Sequence, residues 1–340
     1  MGWQRVADGA LGHRQKPFLN TNEHDIAIFQ DSRAVTLPPR TQKIIRYHDG
    51  IPVLAGDFMH DQVPAVLHAR GVAACERDSL YVCNSTSARN DLEKLSARAA
   101  DRAEVIPYFV PEMRRPGFKA DLRKLAAVRI SQSTLGTKTA TEVINKWFGE
   151  NPGETPAYIM TLATIEPRKN TRGLIRAWQQ LRDRFKHDVK LMIVGTPGWD
   201  FEPILREMRL YVEMGYLLHL ERLSQNELPL VYSGARCFAY LSFVEGFGIP
   251  PIEAMQCDCP VLVSDVPAHR YAAGDGAIYC DPYDDDDIAA RLNDILVTCQ
   301  NGTISNLLQR GRDNAAKYTI DKVLPLWESL FSRLATKPTG

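Results

Sequence analysis

Two glutamates eight positions apart, Glu245 and Glu253, bracket the run EGFGIPPIE, with Glu245 expected to end the strand RCFAYLSF and Glu253 to lie one turn inside the following helix. A carboxylate on each side of a short loop offers bidentate acceptors for pairs of sugar hydroxyls. Between them Gly246 and Gly248 let the backbone approach a ligand closely, and the amides near the following helix start can donate to phosphate or sugar oxygens. Pro250 and Pro251 suit a first helical turn, where their missing N–H groups are not required. A second cluster, IEPRKN, places Arg168 and Lys169 just ahead of a helical stretch. An arginine fork, a lysine point charge and a helix N-terminus together make a site for a diphosphate, whose leaving-group charge must be neutralised. The plainer alternative for this pair is two solvated charges in a loop. His48 follows QKIIRY and precedes Asp49 and Gly50; a histidine so placed is in general more often structural than catalytic.

These residues need elements to hold them. From about residue 155 short β-branched runs alternate with amphipathic stretches, which predicts a parallel sheet wrapped by helices. AYIMTLATI, VKLMIVG, YLLHLERL, RCFAYLSF and PVLVSDV read as five strands of a doubly wound domain. Leu174, Ile175, Trp178 and Leu181 recur at helical spacing, as do Ile204, Leu205 and Met208, while NELPLVYSGA and PPIEAMQC supply further helices. In the first 150 residues DIAIFQ, QKIIRYHD, LYVCNS and AEVIPYFV look like strands, and Asn84 with Ser85 suggests a polar helix cap. The domain boundary is expected near residues 149–156, where GENPGETP collects Gly, Pro and polar residues. That gives a smaller α/β domain over 1–150 and a doubly wound α/β domain over 151–335. The acidic run Asp284 to Asp287 precedes IAARLNDIL and fits a helix N-terminus better than a metal site.

Composition narrows the classes. Lysine plus arginine equals aspartate plus glutamate at 41 each, so no net field favours nucleic acid. Arg114, Arg115, Lys119, Arg123, Lys124 and Arg129 crowd one stretch, which reads as a solvated helix face, with contact to anionic lipid headgroups as the alternative. No stretch approaches the roughly 18 apolar residues of a membrane span, and MGWQRVADGALGHRQK is no signal peptide, so the cytoplasm is the expected compartment. Seven scattered cysteines suit reduced thiols, and Cys257 with Cys259 lacks a second ligand pair for zinc. No metal or cofactor is expected.

The EGFGIPPIE cluster resembles the Glu-x7-Glu motif of retaining glycosyltransferases of the GT-B fold, family 4, and the resemblance extends over most of residues 25–330. It includes the EPRKN turn, HDGIP at 48–52, the VCNS strand end and GDGAIYCDPYD. It implies two facing Rossmann-like domains, a nucleotide-sugar donor held mainly by the C-terminal one, an acceptor held mainly by the N-terminal one, and no divalent metal. By motif, Glu253 is expected to hold the donor ribose, Glu245 the transferred sugar, and Arg168 with Lys169 the diphosphate. The amides of Phe247, Gly248 and Ile249 would assist, and Gly195 and the backbone around Leu223 would border the nucleoside. The match to a His-Asp element assigns His48 to the anomeric carbon. The family view is same-face substitution, in which the departing phosphate oxygen takes the acceptor proton while cationic groups stabilise its charge.

Two departures stand out. The recognisable N-terminal domain starts near DIAIFQ, so that domain is expected to be incomplete, and Ala163-Thr164 stand where many members have Gly-Arg. HDGIP, VCNS and CDPYD resemble bacterial polysaccharide mannosyltransferases, which makes GDP-mannose the first-choice donor and a UDP-hexose the second. The acceptor implied is a saccharide or lipid-linked saccharide at the inner membrane face. A dehydrogenase lacks its G-x-G-x-x-G here and a P-loop enzyme its GxxxxGK. The rival from another class is a catalytically silent GT-B module that binds nucleotide sugar or serves as a partner subunit.

Overall fold

Runs of β-branched residues spaced by amphipathic stretches build two separate parallel sheets in the computed structural model, which describes residues 17–58, 63–113, 121–130, 135, 140–149 and 154–335. The chain divides into two compact units, one of Met1–Phe109, Val244–Phe247 and Tyr318–Gly340, the other of Val110–Phe243 and Gly248–Lys317.

The first unit carries β1 (Ile26–Phe29), β2 (Gln42–Tyr47), β3 (Ser79–Cys83) and β4 (Ala103–Val105), parallel and in sequential order. Its helices are α1 (Ile51–Leu54), α2 (Val63–Cys75), α3 (Thr86–Leu95) and α4 (Ala97–Ala100). Side chains alternate across a strand, so Ile44 and Ile45 face opposite ways. Ile45, Tyr47, Tyr81 and Cys83 join Val72, Cys75, Ala88 and Leu92 in one core. Ile44, Val82 and Ile106 form the other with Val323 and Leu330, which the chain supplies from its far end. Ser85 caps α3 as its residue type suggests, its side chain accepting the Ala88 amide at 3.0 Å.

The second unit opens with α5 (Leu122–Ile130) and α6 (Ala140–Phe148). It continues through β5 (Tyr158–Leu162), α7 (Thr171–Asp183), β6 (Lys190–Val194), α8 (Glu202–Met214), β7 (Leu217–Leu220), α9 (Leu228–Gly234), β8 (Cys237–Tyr240) and α10 (Ile249–Gln256). It ends with β9 (Val261–Ser264), α11 (Pro267–Ala273), β10 (Ile278–Cys280), α12 (Asp285–Gln300) and α13 (Ser305–Ala315). All pairings are parallel, in the order β10-β9-β8-β5-β6-β7. The order reverses between β8 and β5, which creates the switch point where doubly wound sheets bind ligands. The sheet has six strands where five were expected. Ile278–Cys280 is three residues long, too short to declare a period. The chain then returns to the first unit as α14 (Ile320–Ala335).

The units part between Phe109 and Val110, not at residues 149–156. Buried Trp147 of α6 packs against Tyr158 of β5 with ring centroids 5.6 Å apart. Lys190 of β6 donates to the Lys146 and Trp147 carbonyls at 2.9 and 2.6 Å. The Gly/Pro linker therefore joins two elements of one core. Among the described residues no helix is long and apolar enough to cross a membrane.

Candidate functional site

At the carboxyl end of β5, Arg168 and Lys169 occupy a single turn, Pro167–Lys169. Asn170 follows with φ 53°, and its side chain accepts the Gly173 amide at 3.2 Å while donating to the Pro282 carbonyl at 2.7 Å. That double grip sets where α7 begins. The Phe243 amide donates to the Arg168 carbonyl at 2.9 Å, tying this turn to the segment beyond β8. Lys169 donates through Nζ to the Tyr240 hydroxyl at 3.1 Å and lies 5.2 Å from that ring's centroid. Arg168 donates through Nη2 to Glu166 Oε1 at 2.6 Å. Because β5 pairs with β8, both cations stand at the carboxyl ends of these two strands. The arrangement can receive a diphosphate while keeping each cation oriented.

Glu253 is buried within α10, and its Oε2 accepts from the Tyr232 hydroxyl at 3.0 Å. Burial pushes this carboxyl above the ordinary carboxylate range, and the Tyr232 hydrogen bond opposes that rise. Ahead of Ile249, Gly248 adopts φ 104°, and no side chain caps the first amides of α10. Only glycine takes that conformation readily. At the end of β6 a Cβ on Gly195 would sit 1.8 Å from the Ala163 carbonyl oxygen, so two strand-end loops approach there as closely as bare backbone allows. His219 Nε2 donates to the Gly195 carbonyl at 2.9 Å, and its Nδ1 lies 3.8 Å from Glu221 Oε1. Burial holds the His219 imidazole below its ordinary value. Leu223 falls in the loop after β7, which ends at Leu220.

The remaining candidates belong to the first unit. Glu245 does not end a strand. β8 stops at Tyr240, and Glu245 is half-buried in the loop beyond. The next residues, Gly246 and Phe247, are placed by first-unit groups. Ser85 Oγ donates to the Gly246 carbonyl at 3.0 Å, and Phe247 meets Tyr108 and Tyr318 edge-on at 5.2 and 5.6 Å. His48 hydrogen-bonds through Nδ1 with the Tyr108 hydroxyl, and its carbonyl accepts from Asn84 Nδ2 at 2.8 Å. Burial, aided by the Arg46 charge, holds the His48 imidazole below its ordinary value. The structure thus gathers His48, Glu245, Gly246 and Phe247 in one unit, and Arg168, Lys169, Gly195, Leu223, Gly248, Ile249 and Glu253 in the other.

Sequence reasoning passed over the groups that hold these residues. Tyr240 and His219 each carried a signal, a polar tip in an otherwise apolar strand run, and Glu166 is adjacent to the PRKN turn it braces. Tyr108 is separated from His48 by 60 residues, and nothing in its neighbourhood marks the pairing. Among the described residues no group of His, Cys, Asp and Glu could hold a metal ion, and Cys257 and Cys259 are buried free thiols. Within the basic run, Arg129 pairs with Glu227 at 2.6 Å and Arg123 donates to Asn145 Oδ1 at 2.7 Å. Arg114, Arg115 and Lys119 lie outside the described residues.

A family model described as Glycosyl transferases group 1 matches residues 144–315, half of the 340-residue chain. The O-antigen chain mannosyltransferase B of Escherichia coli is 36% identical over 135 residues, 40% of this chain and 35% of that protein. The O-antigen chain mannosyltransferase RfbU of Salmonella typhimurium is 26% identical over 233 residues, 68% of this chain and 60% of that protein. The chain therefore spans less than two thirds of either relative. Among solved structures, Anabaena HepE in complex with UDP and glucose aligns with a TM-score of 0.64 at 18% identity, covering 86% of this chain and 72% of that one. Sucrose-phosphate synthase of Thermosynechococcus elongatus aligns with a TM-score of 0.63 at 18% identity, covering 86% and 68%. At such identity the likeness speaks for the fold, which is that of GT-B proteins.

Proposed function

The chain belongs to the glycosyl transferases group 1 family, and from that premise we propose that it moves a hexose from a nucleoside diphosphate to a saccharide or lipid-linked saccharide acceptor. Mannose from GDP-mannose is the first choice, in keeping with the two mannosyltransferase relatives, and a UDP-hexose is the second. The reading rests above all on one observation. The Arg168-Lys169 turn is tied to the β8 segment through the Phe243 amide and Tyr240, which puts two cations at the carboxyl ends of β5 and β8, at the switch point of the sheet, and the helix that follows β8 in the chain carries Glu253. A nucleoside diphosphate needs that combination of cations for its phosphates and a carboxylate acceptor for its ribose.

In this proposal Arg168 and Lys169 take up charge on the diphosphate as the sugar–phosphate bond breaks. The acceptor oxygen bonds to the same face of the sugar, its proton passes to the departing phosphate oxygen, and the configuration is retained. Glu245 serves the transferred sugar and His48 its reacting end, both by motif. We expect no requirement for a divalent metal.

A thermal-shift panel of nucleoside diphosphates tests the reading. A ligand at 100 times its dissociation constant stabilises the folded chain by about 2.7 kcal/mol, and GDP is expected to do so with UDP weaker. Transfer from GDP-mannose is expected to survive a strong chelator. Failure of every nucleotide to stabilise the chain would sink the donor assignment. Binding without transfer or hydrolysis would favour the silent module.

A further inference from the structure

β6 and β7 pair in parallel, from Leu191 opposite Leu217 to Val194 opposite Leu220. The bonds of a parallel ladder are evenly spaced, so each rung predicts where the next should fall. The last main-chain rung runs from the Gly195 amide to the Leu220 carbonyl at 2.9 Å. The next would join the Arg222 amide to the Gly195 carbonyl, and among the described residues it is not made. β7 has ended by then, and Arg222 stands in the left-handed region at φ 56°.

The His219 side chain takes the place of that rung. Its Nε2 lies 2.9 Å from the Gly195 carbonyl oxygen, and the residue is only 3% exposed. A carbonyl oxygen can only accept, so Nε2 carries a hydrogen. Nδ1 lies 3.8 Å from Glu221 Oε1, beyond hydrogen-bond reach. A ring with its one hydrogen on Nδ1 would therefore set two lone pairs against each other at Gly195 and gain no bond at Glu221.

Gly195 opens a segment that is fastened on its other side too. The Ile165 amide donates to the Thr196 carbonyl at 2.9 Å, and the Gly198 amide donates to the Ile165 carbonyl at 3.0 Å. The Ala163 carbonyl leaves no room for a Cβ on Gly195. The loop after β6 is thus held by main chain from the β5 side, and from the β7 side by one main-chain rung and the imidazole.

We infer that His219 is a positioning residue for the donor nucleoside: its imidazole replaces the missing rung, fixes the Gly195 carbonyl and so sets the loop that the nucleoside meets. Only the last step rests on the proposed function, in which Gly195 borders the nucleoside; the tie between His219 and Gly195 does not. A loop already held in place has less to order when the nucleotide arrives, and that saving appears as affinity.

Two measurements on the full chain test this. Long-range proton–nitrogen NMR without any nucleotide is expected to show a hydrogen on His219 Nε2, the signal being identified by its loss in His219→Gln. A ring without that hydrogen overturns the inference and requires no folded variant. Calorimetry then compares GDP binding by the wild type, by His219→Leu, which lacks a donor, and by His219→Gln, whose amide nitrogen can reach where Nε2 stands. The leucine variant should bind GDP about threefold to tenfold more weakly, as the loss of one hydrogen bond allows, and the glutamine variant within about twofold of wild type. A role confined to overall stability would leave the affinity of the folded protein unchanged, so equal affinity in His219→Leu overturns the inference, as does a glutamine variant as weak as the leucine one. If the wild type binds no GDP, the proposed function falls and the nucleoside role with it, while the NMR result still decides the tie.

Discussion

Glu253 carries its charge at a cost, because burial favours the protonated carboxyl while Tyr232 supplies one hydrogen bond. An unfolded glutamate titrates at about 4.3, and the folded one titrates higher. The stability this group contributes is therefore complete below the unfolded value and is lost as pH rises through the folded value. Glu253→Gln removes the ionisation and keeps an acceptor for Tyr232. Relative to wild type, the variant should gain stability between about pH 4 and pH 7 in urea unfolding; an offset that is the same at both ends would show that Glu253 is not strained by its charge. Arg168 and Lys169 are the other residue-scale pair. Each charge-assisted contact to phosphate is worth about 1.5–3 kcal/mol, so alanine at both should weaken GDP binding by at least about tenfold. Calorimetry that finds GDP affinity unchanged, in a variant whose circular dichroism is also unchanged, would remove them from the diphosphate site.

Elements differ in how locally they are specified. Asp284 ends the segment before α12, and its side chain accepts the Asp286 and Asp287 amides, as the acidic run in the sequence suggests. Asp284→Ala should cost about 1 kcal/mol, as other cap removals do, measured by chemical denaturation; a change within error would mean the following aspartates suffice. Gly195 is the opposite case. Its place in the sequence says nothing about the Ala163 carbonyl that a Cβ would strike, since that contact exists only once β5 pairs with β6. Gly195→Ala should cost at the upper end of the about 1–3 kcal/mol typical of overpacking, because the obstacle is backbone and cannot rotate away. A melting temperature equal to wild type would mean the two loops can separate freely.

At the scale of the whole molecule, α14 is the unexpected member of the first unit. It follows the second unit in sequence yet packs Val323, Leu330, Trp327, Phe331 and Leu334 on the first unit's Ile44, Val82 and Ile106. Burying a large apolar side chain is worth about 1.5–3 kcal/mol, and a domain's whole stability is about 5–15 kcal/mol, so several such losses rival the total. Ending the chain at Lys317 should abolish hydrogen-exchange protection in β2 and β3 and spare β5 and β8. Undisturbed protection in β2 and β3 would mean the first unit stands without α14.

Much was legible from local rules. Buried parallel strands are continuous apolar runs, so β5 to β9 could be read directly, and caps such as Ser85 and Asp284 announce themselves because their partners lie two or three residues away. The order of β1 to β4 is likewise sequential. What local rules cannot hold is partnership between distant segments. The Gly/Pro-rich sequence at 149–156 carries no sign that α6 shares a core with β5, since Gly and Pro end elements without choosing their neighbours. The types and spacing of Glu245, Glu253, Arg168 and Lys169 suggested a donor site. Their division between two units, the placing of Glu245 in a loop, and the Tyr240, Glu166, Tyr232 and Tyr108 side chains that hold the candidates were decided only when strand pairing brought far-apart residues within hydrogen-bonding distance.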